Sequence, residues 1–145
     1  MNKQVILAVL LAFGIASPVW AASRTSNFGM VGIAAGQTVR INVVNTIGDP
    51  EILPTPVVLT FFDNEGRIIS EEASISLRPG QSAFLDFNAN TRELLQGERF
   101  QLRTRVRKTD NPETRINEAS GIRSTMEIFD NETGKSSIFI GDPDI

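Results

Sequence analysis

An all-β, antiparallel sandwich of about seven or eight strands, with one short helical turn, is the fold this sequence predicts. Three observations carry that expectation. Several runs alternate apolar and polar residues with period two, the signature of half-buried strands. Turn signals such as Asp63-Asn64-Glu65-Gly66, Pro79-Gly80 and Asp130-Asn131-Glu132-Thr133-Gly134 separate those runs at short intervals. Only residues 90–96 have helical character, and they are followed by Gly97.

The chain opens on a different kind of segment. Lys3 supplies one positive charge, residues 5–15 are uncharged and mostly apolar, and Val19-Trp20-Ala21 ends in a small residue. That order reads as a secretory signal, with cleavage expected after Ala21 or, second, Ala22. The apolar run is shorter than the roughly 20 residues a bilayer-spanning helix needs. The expected organisation is therefore a signal peptide over 1–21 and one domain over 22–145.

Within that domain, residues 22–27 are small and polar and are expected to be a flexible start. Residues 28–35 are apolar, and Gly29 and Gly32 speak against a helix. They suit a first strand or, if left unpaired, a segment for strand addition to a neighbour. In 38–45, Val39, Ile41 and Val43 face one way and Thr38, Arg40 and Asn42 the other. Gly48, Pro50 and Pro54 make 46–55 a loop. Residues 57–62 form a strong strand, 67–70 the return arm of its hairpin, and Ala73, Ile75 and Leu77 continue the alternation. Residues 82–88 point Ala83, Leu85 and Phe87 inward. Residues 90–96 are expected to make about two helical turns, capped by Asn90 or Thr91. Phe100, Leu102, Thr104 and Val106 then alternate with Gln101, Arg103, Arg105 and Arg107. Residues 109–120 read as a polar surface loop, 122–129 and 137–140 as strands, and 141–145 as an acidic tail. Strand count alone fits a small closed barrel as well; a Greek-key, immunoglobulin-like sandwich is the expected form.

Composition narrows the chemistry. The chain holds 14 basic and 17 acidic side chains, and Lys3 is the one charge in the leader, leaving 13 against 17. A mildly acidic domain argues against nucleic acid as a partner. There is no His, Cys or Tyr, so imidazole- or thiol-based nucleophile pairs and zinc or copper sites are ruled out. Without cysteine the core alone must hold the fold. No cofactor is expected.

Two acidic turns are the candidate metal ligands: Asp63 with Glu65, and Asp130 with Glu132. Calcium takes six to eight oxygens, yet neither turn has the spacing of a known calcium loop, and Asp, Asn and Gly also favour such turns for backbone reasons. The candidate binding residues are Arg103, Arg105 and Arg107, set about 7 Å apart on one strand face, with Arg99 and Lys108 extending the basic run. They suit an anionic partner such as lipid phosphate, acidic glycan or a carboxylate-rich protein. The other reading is a solvated face neutralised by Glu71, Glu72 and Glu127. Glu93 with Glu98, or Asp86 with Glu127, would be the carboxylate pairs for glycoside hydrolysis. Phe62, Phe84 and Phe129 fall opposite their apolar neighbours and are expected to be partly exposed.

Several phrases carry a resemblance. FGMVGIAAGQTVRINVVN, LTFFDNEGRIIS with SISLRPGQSAFLDF, and MEIFDNETGKSS resemble a group of uncharacterised small secreted bacterial proteins. The likeness covers nearly all of the mature chain and implies export and a sandwich fold, with no activity attached. The first half is also similar to the immunoglobulin-like domains of periplasmic pilus chaperones. The second domain and paired basic anchor of a full chaperone do not occur in these residues, so that function is not carried over. The expectation is a periplasmic or secreted, non-enzymatic structural or interaction module. It has no transmembrane span after cleavage, a protein or envelope-surface partner, and a monomeric state with oligomers open.

Overall fold

The computed structural model describes residues 23–110 and 121–141. The alternating runs become nine strands: β1 (Ser23–Asn27), β2 (Val31–Ile33), β3 (Gln37–Asn45), β4 (Thr55–Asp63), β5 (Ile68–Leu77), β6 (Ser82–Asn88), β7 (Phe100–Thr109), β8 (Ile122–Asp130) and β9 (Ser136–Ile140). They form two antiparallel sheets. One runs β1-β7-β4-β5, with β2 also on β7; the other runs β6-β3-β8-β9. The sheets pack face to face as a β-sandwich, as the alternation predicts.

The connections cross between sheets repeatedly, which interlocks the β3–β6 pair with the β4–β7 pair. An immunoglobulin domain has its first strand in the sheet of the former pair and its last beside the latter. Here the ends are exchanged: β1 and β2 lie beside β7, and β8 lies beside β3. Part of the apolar segment 28–35 pairs within its own domain, as β2 against β7.

The inward faces are those the period-two pattern selects. Val39, Ile41, Val43, Val57, Leu59, Phe61, Leu102, Val106, Ile122, Met126 and Ile128 are essentially inaccessible. Burying each such side chain contributes about 1.5–3 kcal/mol. Across the sheets Phe61 meets Phe87 at 5.7 Å between centroids, and Phe87 stacks on Phe100 at 5.6 Å. At the far end of β3, the fully buried Asn45 donates through Nδ2 to the Leu77 carbonyl (2.9 Å) and accepts from the Ile47 N–H (3.1 Å). This ties the strand to the β5–β6 turn while leaving no amide function unpaired.

Two expectations need correction. Residues 23–27 belong to β1, with each of its five residues in register with β7; only Ser26 is buried, so this strand is held by backbone hydrogen bonds rather than by apolar packing. The two-turn helix over 90–96 is a single 3-10 turn, Ala89–Thr91, whose cap is the Asn88 side chain accepting from the Asn90 N–H. Arg92 is already extended, and its guanidinium covers Phe87 and Phe100 at 5.6 and 5.1 Å. So short a helix has little stability of its own, and the aromatic contact favours the open chain. The signal segment, loop residues 111–120 and tail residues 142–145 lie outside the described residues. No described helix is long and apolar enough to cross a membrane.

Candidate anion-binding face

Alternation along β7 sends Leu102, Thr104, Val106 and Lys108 into the core and Gln101, Arg103, Arg105 and Arg107 to the outer face of their sheet. This divides the basic run. Lys108 is inward and 5% exposed. Arg99 precedes the strand and donates to the Gly32 carbonyl at 3.2 Å. Arg103, Arg105 and Arg107 remain as a column, spaced about 7 Å apart.

The neighbouring strands complete the face. Phe62, Thr60 and Val58 of β4 stand opposite Arg103, Arg105 and Arg107, while Asn27 and Thr25 of β1 flank the latter two on the other side. Phe62 carries the arrangement: Arg105 lies 4.5 Å and Arg103 4.8 Å from its ring centre. With both guanidiniums beside it, this phenyl is 5% exposed, which corrects the expectation that it is partly open. Guanidinium–ring stacking uses the face of the cation and leaves its in-plane N–H donors for a planar anion.

Of the carboxylates expected to neutralise the column, Glu127 and Glu71 form no ion pair with it. Glu127 lies in the other sheet, in register with Arg40. Glu71 stands across from Thr60 and accepts its hydroxyl at 3.1 Å, placing it two strands, or about 10 Å, from Arg105. The Glu72 side chain lies outside the described residues. Among the described residues Arg103, Arg105 and Arg107 have no ion pair, and Arg105 Nε is buried without a hydrogen-bond partner. Three like charges at this spacing repel one another unless something anionic joins them.

The two acidic turns are built differently from a metal site. Asp63 Oδ1 accepts the N–H groups of Glu65 and Arg67, both at 2.9 Å, and its Oδ2 takes the Arg67 guanidinium at 2.7 Å. Glu65 pairs with the same guanidinium at 2.9 Å. Gly66, at φ +84°, closes the turn in the left-handed region. In the β8–β9 turn, Asp130 Oδ1 accepts the Thr133 N–H (2.7 Å), the Thr133 hydroxyl (2.8 Å) and the Glu132 N–H (3.1 Å). Glu132 itself is exposed. Both oxygens of Asp63 and Oδ1 of Asp130 are directed into the turns. No group of three or more acidic side chains that would hold a metal occurs among the described residues. Calcium in excess is accordingly expected to leave the melting temperature unchanged and to give no binding heat; a calcium-dependent rise would contradict this account of the turns.

These turns do set an acid limit. The Arg67 guanidinium, helped by the Arg67 and Glu65 N–H groups against the effect of burial, holds the Asp63 carboxyl below its ordinary range. The Thr133 N–H and hydroxyl, with the Glu132 N–H, do the same for Asp130. A depressed carboxyl stabilises the fold fully above its unfolded value, about 3.9, and loses that contribution as pH falls through the folded value. The melting temperature is expected to be level above about pH 5 and to fall below about pH 4. The deficit of Asp63→Asn should be greatest on the plateau and shrink in acid, where the wild-type carboxyl is also neutral; a constant deficit would refute the assignment.

No family model, curated protein or solved structure matches this chain.

Of the carboxylates paired as hydrolase candidates, Asp86, Glu127 and Glu98 are engaged, whereas Glu93 is exposed. Arg40 donates to both oxygens of Asp86 at 2.7 Å, and Glu127 accepts from Asn42 (3.3 Å) and Ser136 (2.9 Å). Asp86 and Glu127 thus flank an arginine. Glu98 accepts the Leu95 N–H at 2.9 Å within a local turn. Of the phenylalanines expected at the surface, Phe84 is 56% exposed and Phe129 half-buried. The arginine positions were readable from alternation, whereas the role of Phe62 beneath them depends on the β4–β7 register.

Proposed function

We propose that this protein is an exported, non-enzymatic interaction module of the bacterial cell envelope or its surroundings, and that it engages a partner through anionic groups laid on the Arg103–Arg105–Arg107 column. The observation that carries the reading is the uncompensated column: two of its guanidiniums share one buried phenyl, and none has an ion pair among the described residues. A stacked guanidinium offers bidentate, charge-assisted hydrogen bonds to carboxylate or phosphate. An otherwise acidic domain repels polyanions in general, so the column restricts where such a group can settle. Export rests on the Lys3, 5–15 and Val19-x-Ala21 pattern, and the bacterial setting on the sequence resemblance.

The test is binding of poly-L-glutamate and of polyphosphate to the mature domain, followed by amide chemical shifts. The reading expects perturbations along β7 and their loss in Arg103→Glu/Arg105→Glu. Unchanged surface association in that double variant would overturn it, and a preference between the two polymers would separate carboxylate from phosphate recognition.

A further inference from the structure

The opposite outer face of the sandwich carries a second feature. On the β6-β3-β8 sheet the register sets Ser82, Val44 and Arg123 in one row, Phe84, Asn42 and Thr125 in the next, and Asp86, Arg40 and Glu127 in a third. The third row is an ion-pair cluster. In the first two, the central side chains on β3 are shorter than the Phe84 and Arg123 side chains beside them. A trough therefore runs over β3, between backbones about 10 Å apart. It forms an open groove of about 160 Å³, lined by Asn42, Val44, Ser82, Phe84, Arg123 and Thr125.

Its two walls differ in chemistry. Phe84 is 56% and Val44 37% exposed, so one side presents apolar surface. The Phe84 ring is held in place, because the Arg40 guanidinium lies 4.2 Å from its centre and is itself fixed by both Asp86 oxygens. The ordering that a ligand would otherwise have to impose on this ring has already occurred. On the other side Arg123 is exposed and has no ion-pair or hydrogen-bond partner among the described residues. Asp86 and Glu127, the acidic groups of this sheet face, are turned to Arg40, Asn42 and Ser136.

From this juxtaposition we infer a second binding site, for a small organic monocarboxylate with a compact apolar body about the size of phenylacetate. The body lies against Phe84 and Val44, and the carboxylate takes two N–H groups of Arg123. Charge complementarity selects the anion: an ammonium at the same end would meet a guanidinium, and a neutral amide would forgo the charge-assisted pair. The volume and the one arginine, Arg123, in its described lining separate this site from the arginine column, which suits extended polyanions. It stands whether or not that column binds anything.

The experiment is a titration of the folded protein with phenylacetate, phenylacetamide and acetate, followed by amide shifts. Phenylacetate at about 10 mM, where ligands of this size bind measurably, is expected to move the amides of 42–44, 82–84 and 123–125. Phenylacetamide and acetate should each bind about tenfold more weakly or worse, lacking the charge or the apolar body. Arg123→Gln and Phe84→Ser, both at exposed positions, should weaken phenylacetate by about tenfold while the melting temperature holds. Equal binding of acid and amide, shifts confined to the Arg103–Arg107 strand, or no shift with phenylacetate would each overturn the inference. The acid–amide comparison uses the unaltered protein and does not depend on how the variants fold.

Discussion

Phe61→Ala is expected to lower the unfolding free energy by about 3–5 kcal/mol, the cost of truncating a fully buried phenyl to a cavity. Phe61 has no exposed surface and meets Phe87 of the facing sheet, so the void opens between the sheets, where neither can close without disturbing its ladder. A domain of this size has a total stability of about 5–15 kcal/mol, so the variant should melt far below the wild type or fail to accumulate. Its chain neighbour should behave differently. Phe62→Leu keeps most of the buried apolar area on the outer face, where two arginine side chains lie beside the ring, and should cost about 1.5 kcal/mol or less. It removes the ring on which Arg103 and Arg105 are stacked, so anion binding should fall more than stability does. Chemical denaturation of both variants checks the contrast; equal losses of stability would mean that Phe62 is simply a second core residue.

That pair of residues also shows what the sequence makes legible. In residues 57–62 both phenylalanines read as one apolar strand, and alternation alone assigns one to each face. Strand positions, turns and the inward sets of β3, β6 and β7 followed from periodicity because one face of each sheet must leave water. β1 was not legible: Ser23-Arg24-Thr25-Ser26-Asn27 contains no apolar residue, and its strand conformation comes from the β7 edge it completes. The helix over 90–96 had a cap and suitable propensities, but the contact of Arg92 with Phe87 and Phe100 prevailed. For the candidate site, the three arginine positions and their common face were readable, while the fate of their expected counter-charges was not. Glu71, Glu127 and the column were all visible as residues, yet only the strand order places Glu127 in the other sheet and Glu71 beyond β4. Lys108 shows the same limit: its alternation phase pointed it inward, against the usual preference of lysine for water.

The second large effect is expected on binding. In Arg103→Gln/Arg105→Gln/Arg107→Gln the column loses its charge without losing its polar stems. Two stacking contacts, about 0.5–1 kcal/mol each, are weakened, and repulsion among three like charges is relieved. The net change in stability should stay within about 1 kcal/mol. Anion affinity should fall by about three orders of magnitude or more, since three charge-assisted contacts worth about 1.5–3 kcal/mol each are lost. Had the arginines been structural, each held by a carboxylate, the same substitutions would leave unpaired acids and lower stability instead. Stability and affinity therefore move apart in one reading and together in the other.

The central claim is that β7 presents an uncompensated anion-binding column, and calorimetric titration of poly-L-glutamate into the wild-type and triple-glutamine proteins at low and high salt tests it most directly. The account predicts saturable binding by the wild type that weakens steeply as salt is raised, and its loss in a variant that melts at nearly the wild-type temperature. Binding of equal strength in both proteins, or a triple variant that loses its fold rather than its ligand, would contradict it.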